Sequence, residues 1–411
     1  MQHVLVAAIV GTAAVFLALT VLIVAAKAGR EIRDARRRSR RRALEPLVLR
    51  FVHGDDPSIL AALGGGLDHR DRVVVEAILL DHVQRVRGIE RDRLHRALDE
   101  LGFVDRYLAE LTSHRWWTRA RGAENLGLAG AKRATVQLVN ALDDDVPEVR
   151  LRAAKSLGLV GGRAAVRPLL QALAEPNRWS TIRIADILAD MGHEVVRELM
   201  DAFPGLNRHG RLAALDILGR VHALESIPWL LDRMGDPEPD VRARAAHALG
   251  SIGVIAAAGR LRAALGDPAW PVRAMAAKAL GRIHDAAAIP RLCVALCDAE
   301  WWVRANAAEA LRRTGPAGLE ALEAMLTDPD LFARHQACLM LDTCGILDRR
   351  IAQLGTTGAS REAALRLIGG FVRAGQTAKL IELAGSHTDP AVRRALVGLL
   401  HPASPQHEGA A

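Results

Sequence analysis

Small and apolar residues recur along most of the chain with the spacing of a helix face. The fifteen residues that begin at Trp301 read WWVRANAAEALRRTG, and a near copy, WWTRARGAENLGLAG, begins at Trp116. In both, the residues three, four and seven places after the arginine are small or apolar, so they share one face of a helix. The pattern predicts one amphipathic helix that the chain repeats.

The repeat has a period of about 31 residues, because Arg242, Arg273 and Arg304 follow one another at that interval. Further arginines continue the series, some at the same interval and some at a less regular one: Arg119, Arg150, Arg183, Arg211, Arg334, Arg361 and Arg393. Glycine often stands eight places after the arginine, where we interpret it as a helix stop: Gly127, Gly158, Gly219, Gly250, Gly281 and Gly369. A second helix follows, often opened by proline, as at Pro168, Pro228 and Pro290.

A pair of short helices cannot bury its apolar face alone, but stacked pairs bury it together. We therefore predict an all-α fold, an α-solenoid of about nine helix pairs over residues 113–402. Residues 43–112 lack the period and read as amphipathic helices that cap the first repeat and link it to the N-terminal segment. Residues 403–411 are predicted to be a disordered tail.

The N-terminal segment predicts a membrane anchor. Residues 4–26 contain no charge, and a helix of that length reaches about 34 Å, enough to cross a hydrocarbon core. An Arg-rich juxtamembrane segment, residues 27–42, follows the apolar run, which is the reverse of a cleaved signal peptide. The positive-inside rule then predicts a single-pass protein of the inner cell membrane, with its N-terminus outside and the bulk of the chain in the cytoplasm. The arginines would also meet anionic headgroups.

The net charge of +8 does not indicate nucleic-acid binding. Residues 27–42 contribute +7 of it, which leaves the repeats nearly neutral. A protein that binds DNA or RNA usually carries its basic residues over a folded face.

An aspartate stands six places before the arginine in five repeats. A short acid at the start of a helix can accept backbone N–H bonds, and the arginine can reach an acid or exposed carbonyls in a neighbouring repeat. We interpret these residues as a structural Asp–Arg ladder, composed of Asp144, Arg150, Asp236, Arg242, Asp267, Arg273, Asp298, Arg304, Asp328 and Arg334.

From about residue 114 to 400 the repeats resemble the HEAT-like repeats of the phycobilisome-lyase type, whose signature is close to D-x-x-x-x-VR-x-x-AA-x-ALG. The segments VRARAAHALG and VRAMAAKALG carry the resemblance. The segment RWSTIRIADILADMG departs from it, because the alanine pair is lost and Asp186 and Asp190 take part. A bend or a partner contact is a possible consequence there.

Relatives of this repeat class include enzymes. The segment ARHQACLML resembles the repeats of deoxyhypusine hydroxylases, a family that binds two irons through His-Glu pairs. The resemblance therefore raises the possibility of an iron site here. Here Gln336 follows His335, and an amide cannot supply the carboxylate charge. The His-Glu dipeptides at His193 and His407 lie in other parts of the pattern. We therefore expect no metal and no cofactor. HEAT-like DNA glycosylases are a third relative, but the near-neutral repeats speak against a basic groove.

The four cysteines are too few to stabilise a secreted protein of this size. Cys293 and Cys297 are four places apart and could share a metal, but no nearby His or Cys completes a usual ligand set. We expect reduced, buried thiols at Cys293, Cys297, Cys338 and Cys344.

Tryptophan is concentrated at the start of the repeat helices. Indoles are common in binding hot spots, and they also pack a turn onto a helix. Both interpretations apply to this candidate partner-binding edge of Trp116, Trp117, Trp270, Trp301 and Trp302.

These features together favour a membrane-anchored cytoplasmic scaffold that binds one or more proteins, and not an enzyme. The alternatives are a divergent metal hydroxylase or lyase, and a nucleic-acid-binding protein. The high use of arginine and alanine with little lysine is typical of a GC-rich bacterial gene.

Overall fold

The structure is a computed structural model that describes residues 2–54, 56, 58–175 and 180–401, with the backbone alone for residues 2–18 and 181. All regular elements in these ranges are helical, so the predicted all-α class is confirmed. The chain divides into two compact units at Pro168 and Leu169. The predicted tail, residues 403–411, lies outside the described residues.

The first unit begins with one long helix and ends inside a helix that continues into the second unit. Its helices are α1 (Gln2–His53), α2 (Ile59–Ala62), α3 (His69–Val83), α4 (Ile89–Glu100), α5 (Phe103–Glu110), α6 (Trp116–Leu128), α7 (Thr135–Asn140), α8 (Pro147–Val160) and α9 (Gly162–Leu173).

Helix α1 includes the predicted anchor, the Arg-rich segment and the start of the predicted cap. Its 52 residues correspond to about 78 Å at the usual helical rise. The end of the helix packs on α3, where Arg41 Nη2 lies 2.8 Å from Asp81 Oδ2. Most of the predicted span, residues 4–18, lies outside the described side chains, and in the described part of the chain no helix is apolar over a length that would cross a bilayer.

The second unit is a series of short helices arranged in pairs. The first helix of each pair carries the arginine of the repeat, and the second helix runs back beside it. They are α10 (Thr181–Asp190), α11 (Val196–Ala202), α12 (Arg208–Arg220), α13 (Ile227–Arg233), α14 (Pro239–Ile252), α15 (Ala258–Ala264), α16 (Trp270–Arg282), α17 (Ile289–Leu296), α18 (Trp301–Arg313), α19 (Pro316–Ala324), α20 (Leu331–Thr343), α21 (Ile346–Gln353), α22 (Ala359–Arg373), α23 (Ala378–Ser386) and α24 (Pro390–Leu400).

The start of the second helices differs in part from the prediction. Pro228 and Pro290 lie in the first turn of α13 and α17, each after a single 3-10 turn. Pro168 lies inside α9 instead, because that helix begins at Gly162, directly after Gly161 ends α8.

Successive first helices pack directly on one another. In the second unit α12 contacts α14, α14 contacts α16 and α16 contacts α18, and in the first unit α6 contacts α8. The alanine pairs predicted to face the core, such as Ala245 and Ala246, are fully buried. Small side chains at these positions let the helix axes approach closely, which gives each stack a thin, dry interior.

The glycine eight places after each arginine does not stop the helix, so that interpretation was wrong. Gly250 and Gly281 lie within α14 and α16. A Cβ on Gly250 would lie 2.5 Å from the Cβ of Ala279 on the next first helix, and one on Gly281 would lie 2.9 Å from that of Ala310. These glycines are therefore the points of closest approach between neighbouring first helices.

The helix ends eleven places after the arginine, at a residue with positive φ. Glycine takes this position at Gly130, Gly253 and Gly315, with φ between 61° and 83°. Only glycine adopts this conformation without a steric cost from Cβ. His222 and His284 occupy the equivalent place in two other repeats with φ of 52° and 54°.

The arginines of the ladder bind two different turns. Arg242 donates from Nε and Nη2 to the carboxylate of Asp267 in the next repeat, at 2.9 and 2.8 Å. Its Nη1 donates to the carbonyl oxygens of Asp236 and Pro237 at 2.9 and 3.2 Å. The carbonyls thus belong to the turn of its own repeat, not to a neighbouring repeat, and only the acid comes from the neighbour.

The same arrangement recurs at Arg273 with Asp298, and at Arg119 with Asp144. Arg150, Arg304 and Arg334 also bind the carbonyls of their own turns. Arg304 is buried and lies over the ring of Phe332, with 4.8 Å from its Cζ to the ring centroid.

Each ladder aspartate also fixes its own turn. The carboxylates of Asp144, Asp236, Asp267, Asp298 and Asp328 accept a hydrogen bond from the backbone N–H two residues later, at 2.8–3.0 Å. Burial by itself would raise the pKa of Asp267, but the Arg242 guanidinium and the N–H of Ala269 outweigh burial and hold that pKa below its usual value. The same opposing causes lower the pKa of Asp144 to about 2.

No disulfide joins the four cysteines, and the prediction that they are buried was correct only for Cys338, since Cys293 and Cys344 are half-buried and Cys297 is exposed. Cys338 is buried inside α20, whereas Cys297 is exposed because it follows the last residue of α17, where the chain turns. Burial raises the pKa of the Cys338 thiol to about 12, and that of Cys297 to about 11 with the help of Asp328 and Asp330.

We predict that Gly250→Ala destabilises the protein by about 1–3 kcal/mol, because the new methyl group overlaps Ala279 and the helices must separate. Gly259→Ala is the control, since a Cβ at that helical position meets nothing within 4 Å, and alanine there should be neutral or stabilising by up to about 1 kcal/mol. The midpoints of urea unfolding, followed by circular dichroism, compare the two. Equal midpoints would show that the helices do not need this glycine.

We predict that Asp267→Asn lowers the free energy of unfolding by about 1–2 kcal/mol at pH 7 through weaker charge-assisted hydrogen bonds. Because the folded-state pKa of Asp267 is depressed, its ionised form stabilises the protein above its unfolded pKa of about 3.9, and this contribution disappears as the pH falls through the folded-state pKa. The difference between variant and wild type should therefore shrink below pH 4 in urea titrations. Glu320→Gln, at an exposed site on α19, should show no such change, and a difference independent of pH would contradict the interpretation.

Candidate protein-interaction surface

The five tryptophans of the predicted edge are all exposed at the start of first helices. Their exposed fractions range from 40% to 57%. In the second unit Trp301 and Trp302 form an edge-to-face pair with ring centroids 4.7 Å apart. In the first unit Trp116 and Trp117 form a similar pair at 6.0 Å. Exposure of large aromatic rings is costly in water, which marks these positions as candidate contacts.

The structure brings two of these tryptophans together in one groove. A groove of about 560 Å³ runs across the first helices of the second unit, and Trp270, Met275 and Trp302 lie in its wall with Leu212. Trp301 is not among its lining residues. The sequence placed Trp270 and Trp301 at equivalent positions, but the ring that reaches the groove is that of Trp302, the next residue.

Ion pairs between neighbouring first helices form part of the rim. Arg244 Nη1 donates to both carboxylate oxygens of Asp216, at 2.9 and 2.8 Å, and Arg208 is paired with Asp240. Each of these pairs joins α14 to α12. The apolar groove therefore has a charged border, as interaction surfaces commonly do.

One end of the groove is cationic. His247 and Lys278 line it, and Arg282 lies beside them and donates to Ser251 Oγ at 2.5 Å. Burial lowers the pKa of His247 to about 4, with further lowering by Arg282, Lys278 and Arg244, so the imidazole is neutral at pH 7. Burial and the neighbouring Arg282 and Arg313 also lower the pKa of Lys278.

The sequence analysis identified Trp270 and Trp302 but missed the other groove residues. A signal for them was present at the position five places after the repeat arginine. This position holds Asp216 and Glu309 in two repeats, but His247 and Lys278 in the two repeats between them. The loss of acids from consecutive repeats at one position indicates a local change in surface charge.

The positions that resemble a diiron site do not come together with further ligands. His335 is exposed on α20, while Gln336 is buried against the core. His193 Nδ1 lies 3.4 Å from a carboxylate oxygen of Glu225, and His407 lies outside the described residues. Over the described ranges, no three His, Cys, Asp or Glu side chains are grouped as metal ligands.

A family model decides the class of the repeat. The model for HEAT repeats matches residues 104–189, 196–272 and 259–342, which is more than half of the chain. The chain belongs to the HEAT-repeat family. The narrower assignment of its HEAT repeats to the phycobilisome-lyase type stays a prediction.

Solved structures that match the chain are only distantly similar to it. The complex of CpcE and CpcF of phycocyanin lyase from a Nostoc species is 22% identical, covers 58% of this chain and 94% of that chain, and has a TM-score of 0.29. Human deoxyhypusine hydroxylase is 23% identical over 60% of this chain and 98% of that chain, with a TM-score of 0.26. The karyopherin Kap121p bound to the C-terminus of the protein phosphatase Cdc14p is 12% identical over 86% of this chain and 49% of that chain, with a TM-score of 0.45.

All of these TM-scores are below 0.5, so none of these structures supports an inference about the function of this HEAT-repeat chain. No curated protein matches the chain in sequence.

We predict that Trp301→Ala/Trp302→Ala lowers the melting temperature only slightly, because both rings are more than half exposed and an aromatic pair contributes about 0.5–1.5 kcal/mol beyond its buried area. Trp229→Ala is the comparison, since its half-buried ring packs edge-to-face on the buried Phe203 with centroids 4.9 Å apart. That change should destabilise more in a calorimetric scan. A larger loss from the double variant would mean that the exposed rings act as staples.

Proposed function

We propose that the chain is a membrane-anchored cytoplasmic scaffold whose HEAT repeats bind a protein partner. The observation that carries this proposal is the tryptophan-lined groove of about 560 Å³ on the first helices of the second unit. Apolar grooves with aromatic walls and a charged border are typical of surfaces that recognise proteins. HEAT-type stacks supply such surfaces through many repeated positions.

Helix α1 supports the membrane part of the proposal. Residues 19–28 are all more than a third exposed. They include Leu19, Leu22 and Ile23, with exposed fractions of 49%, 65% and 62%. A lipid environment would cover these side chains, together with the uncharged sequence before them. The Arg-rich segment, residues 27–42, follows on the same helix, as the positive-inside rule requires of a cytoplasmic flank.

A second feature of the first unit suits a membrane surface. A cationic groove lies between α1 and α3, and Arg33, Arg36, Arg37, Arg40 and Arg70 are among its lining residues. Arg40 is already paired with Asp68 and Asp71. The other arginines provide a positive surface that would attract anionic headgroups.

Binding, not catalysis, is the role that we propose for the repeats. The distinctive residues of the groove are indoles, a thioether and, at one end, Lys278 with Arg282 beside His247, which recognise a partner by burial and charge. A membrane helix in front of such repeats would hold the bound partner at the inner face of the membrane.

The experiment uses the full chain with a biotin ligase fused to its C-terminus. We predict that the chain resists carbonate extraction from membranes and labels a reproducible set of proteins. Replacing residues 4–26 with a Gly-Ser segment should move the chain to the soluble fraction, because an apolar helix is what holds it in the bilayer.

Two variants separate the parts of the proposal. Arg36→Gln/Arg37→Gln should leave the chain in the membrane, since each arginine contributes only about 1 kcal/mol at the surface. Trp301→Ala/Trp302→Ala should reduce labelling of the partner set without moving the chain. A soluble wild-type chain would refute the anchor. If the wild type and Trp301→Ala/Trp302→Ala label the same set of proteins, the role of this surface is refuted.

A further inference from the structure

In two places, one in each unit, the exposed faces of neighbouring first helices are neutralised by an ion pair of the same kind. Arg244 on α14 is paired with Asp216 on α12, and Arg152 on α8 is paired with Glu124 on α6. In both pairs the arginine stands two places after its repeat arginine and the acid stands five places after the previous one. Two pairs of neighbouring first helices thus balance their surface charge in the same way.

This balance fails in the middle of the second unit. The positions that hold the acid in other repeats are occupied by His247 and Lys278, and the positions for the partner arginine by Met275 and Asn306. Between α14 and α18 the pairing is therefore replaced by an apolar residue, an amide, a neutral imidazole and one cation, Lys278.

The two cations here, Lys278 and Arg282, have no acidic partner in the described part of the chain. Arg282 donates to Ser251 Oγ at 2.5 Å and lies 3.4 Å from His247 Nε2. Lys278 is exposed, and the structure gives it no ion pair and no hydrogen bond to described residues. Arg313 is a further positive charge near both side chains, and its own acid, Glu309, lies 2.7 Å away on α18. Burial is the main cause that lowers the pKa of Lys278 and Arg282; the charge of Arg313 and, for Lys278, that of Arg282 add to it, and no carboxylate opposes them.

The apolar part of the groove is directly beside these cations. Trp270, Met275 and Trp302 line the same groove as Lys278 and His247. A ligand that fits both parts must carry negative charge next to an apolar group. A protein segment with acidic and large apolar residues has this combination.

We propose that this groove binds an acidic segment of the partner protein, with its carboxylates at Lys278 and Arg282 and an apolar side chain between Trp270 and Trp302. The inference rests on the proposed scaffold function and specifies the chemistry of its partner. Carboxylates would supply the missing acid of the repeat surface, as Asp216 does for Arg244.

The groove favours an acidic peptide over a nucleic acid. Its other arginines, Arg208 and Arg244, are already neutralised by Asp240 and Asp216. A polyphosphate strand needs several free cations along its path, and these carboxylates would repel it. Two free cations beside an apolar wall instead match a short segment with few charges.

The test uses the full-length protein in detergent and a dye-labelled peptide of six glutamates, three leucines and one phenylalanine, with fluorescence anisotropy as the measurement. We expect the wild type to bind this peptide and Lys278→Glu/Arg282→Glu to bind it at least about tenfold more weakly, since two charge-assisted hydrogen bonds are replaced by repulsion. Arg260→Glu/Arg291→Glu makes the same change in charge at exposed sites on α15 and α17 and should alter the affinity less than about twofold.

Folding is checked by circular dichroism, and Lys278→Gln/Arg282→Gln replaces the charge-reversed variant if that one does not fold. The proposal is wrong if the wild type does not bind the peptide, if a peptide with glutamine for glutamate binds equally well, or if both double variants lose affinity alike. It is also wrong if a single-stranded oligonucleotide or phosphatidylserine vesicles depend on Lys278 and Arg282 more strongly than the peptide does.

Proximity labelling distinguishes this inference from the function on which it rests. If Lys278→Glu/Arg282→Glu labels the same proteins as the wild type, the acidic-segment site is refuted and the scaffold stands. If the wild-type chain labels no reproducible partner, the scaffold itself is refuted.

Discussion

The close approach of neighbouring first helices is the constraint on which the rest of each stack depends. At Gly250 and Gly281 there is no room for a Cβ, because the backbone and methyl group of the next helix's alanine occupy the space. Interiors are packed densely enough that one methyl group is felt. A glycine on one helix and an alanine on the next therefore fix both the separation and the axial register of the pair. Once the register is fixed, equivalent surface positions of successive repeats must lie side by side.

The Asp–Arg contacts act on the same register from the turns. Arg242 donates to a backbone carbonyl in the turn before its own helix, α14. It also donates to the carboxylate of Asp267, which lies 25 residues later in the turn between α15 and α16. That carboxylate also accepts the N–H of Ala269, so one aspartate fixes a turn and joins two repeats. The groove follows from this geometry, since its walls are the exposed positions of four first helices that the inner contacts hold in line.

The fold was largely predictable, because helix periodicity and the 31-residue repeat depend on residues close in sequence. The burial of Ala245 and Ala246 followed from the pattern alone, whereas the exposure of Trp301 did not, because the pattern left packing and partner binding both open. The role of Gly250 did not follow, because a glycine near the end of a helix is locally compatible with a stop, and only the neighbouring helix reveals the contact. Gly253, which ends α14 with φ of 83°, was available as a second candidate three residues later. Cys297 was misjudged because its spacing of four from Cys293 suggested a shared helix face, although Asp298 directly after it marks the turn at which α17 has already ended.

The cationic end of the groove was missed for a different physical reason, which concerns how charge is counted. The near-neutral total of the repeats argued against any strongly charged surface, and it is still compatible with Lys278 and Arg282 having no acid beside them. Ion pairs such as that of Arg244 with Asp216 cancel in the total and also cancel in space. The net charge of the repeats cannot distinguish paired charges from cations and acids that lie far apart. The difference matters to a ligand, because charges separated by more than the Debye length of about 8 Å in physiological salt are screened from one another. The charge that a partner meets is therefore set by which repeat lacks its acid, and the stacking of the helices determines that an apolar wall stands next to it.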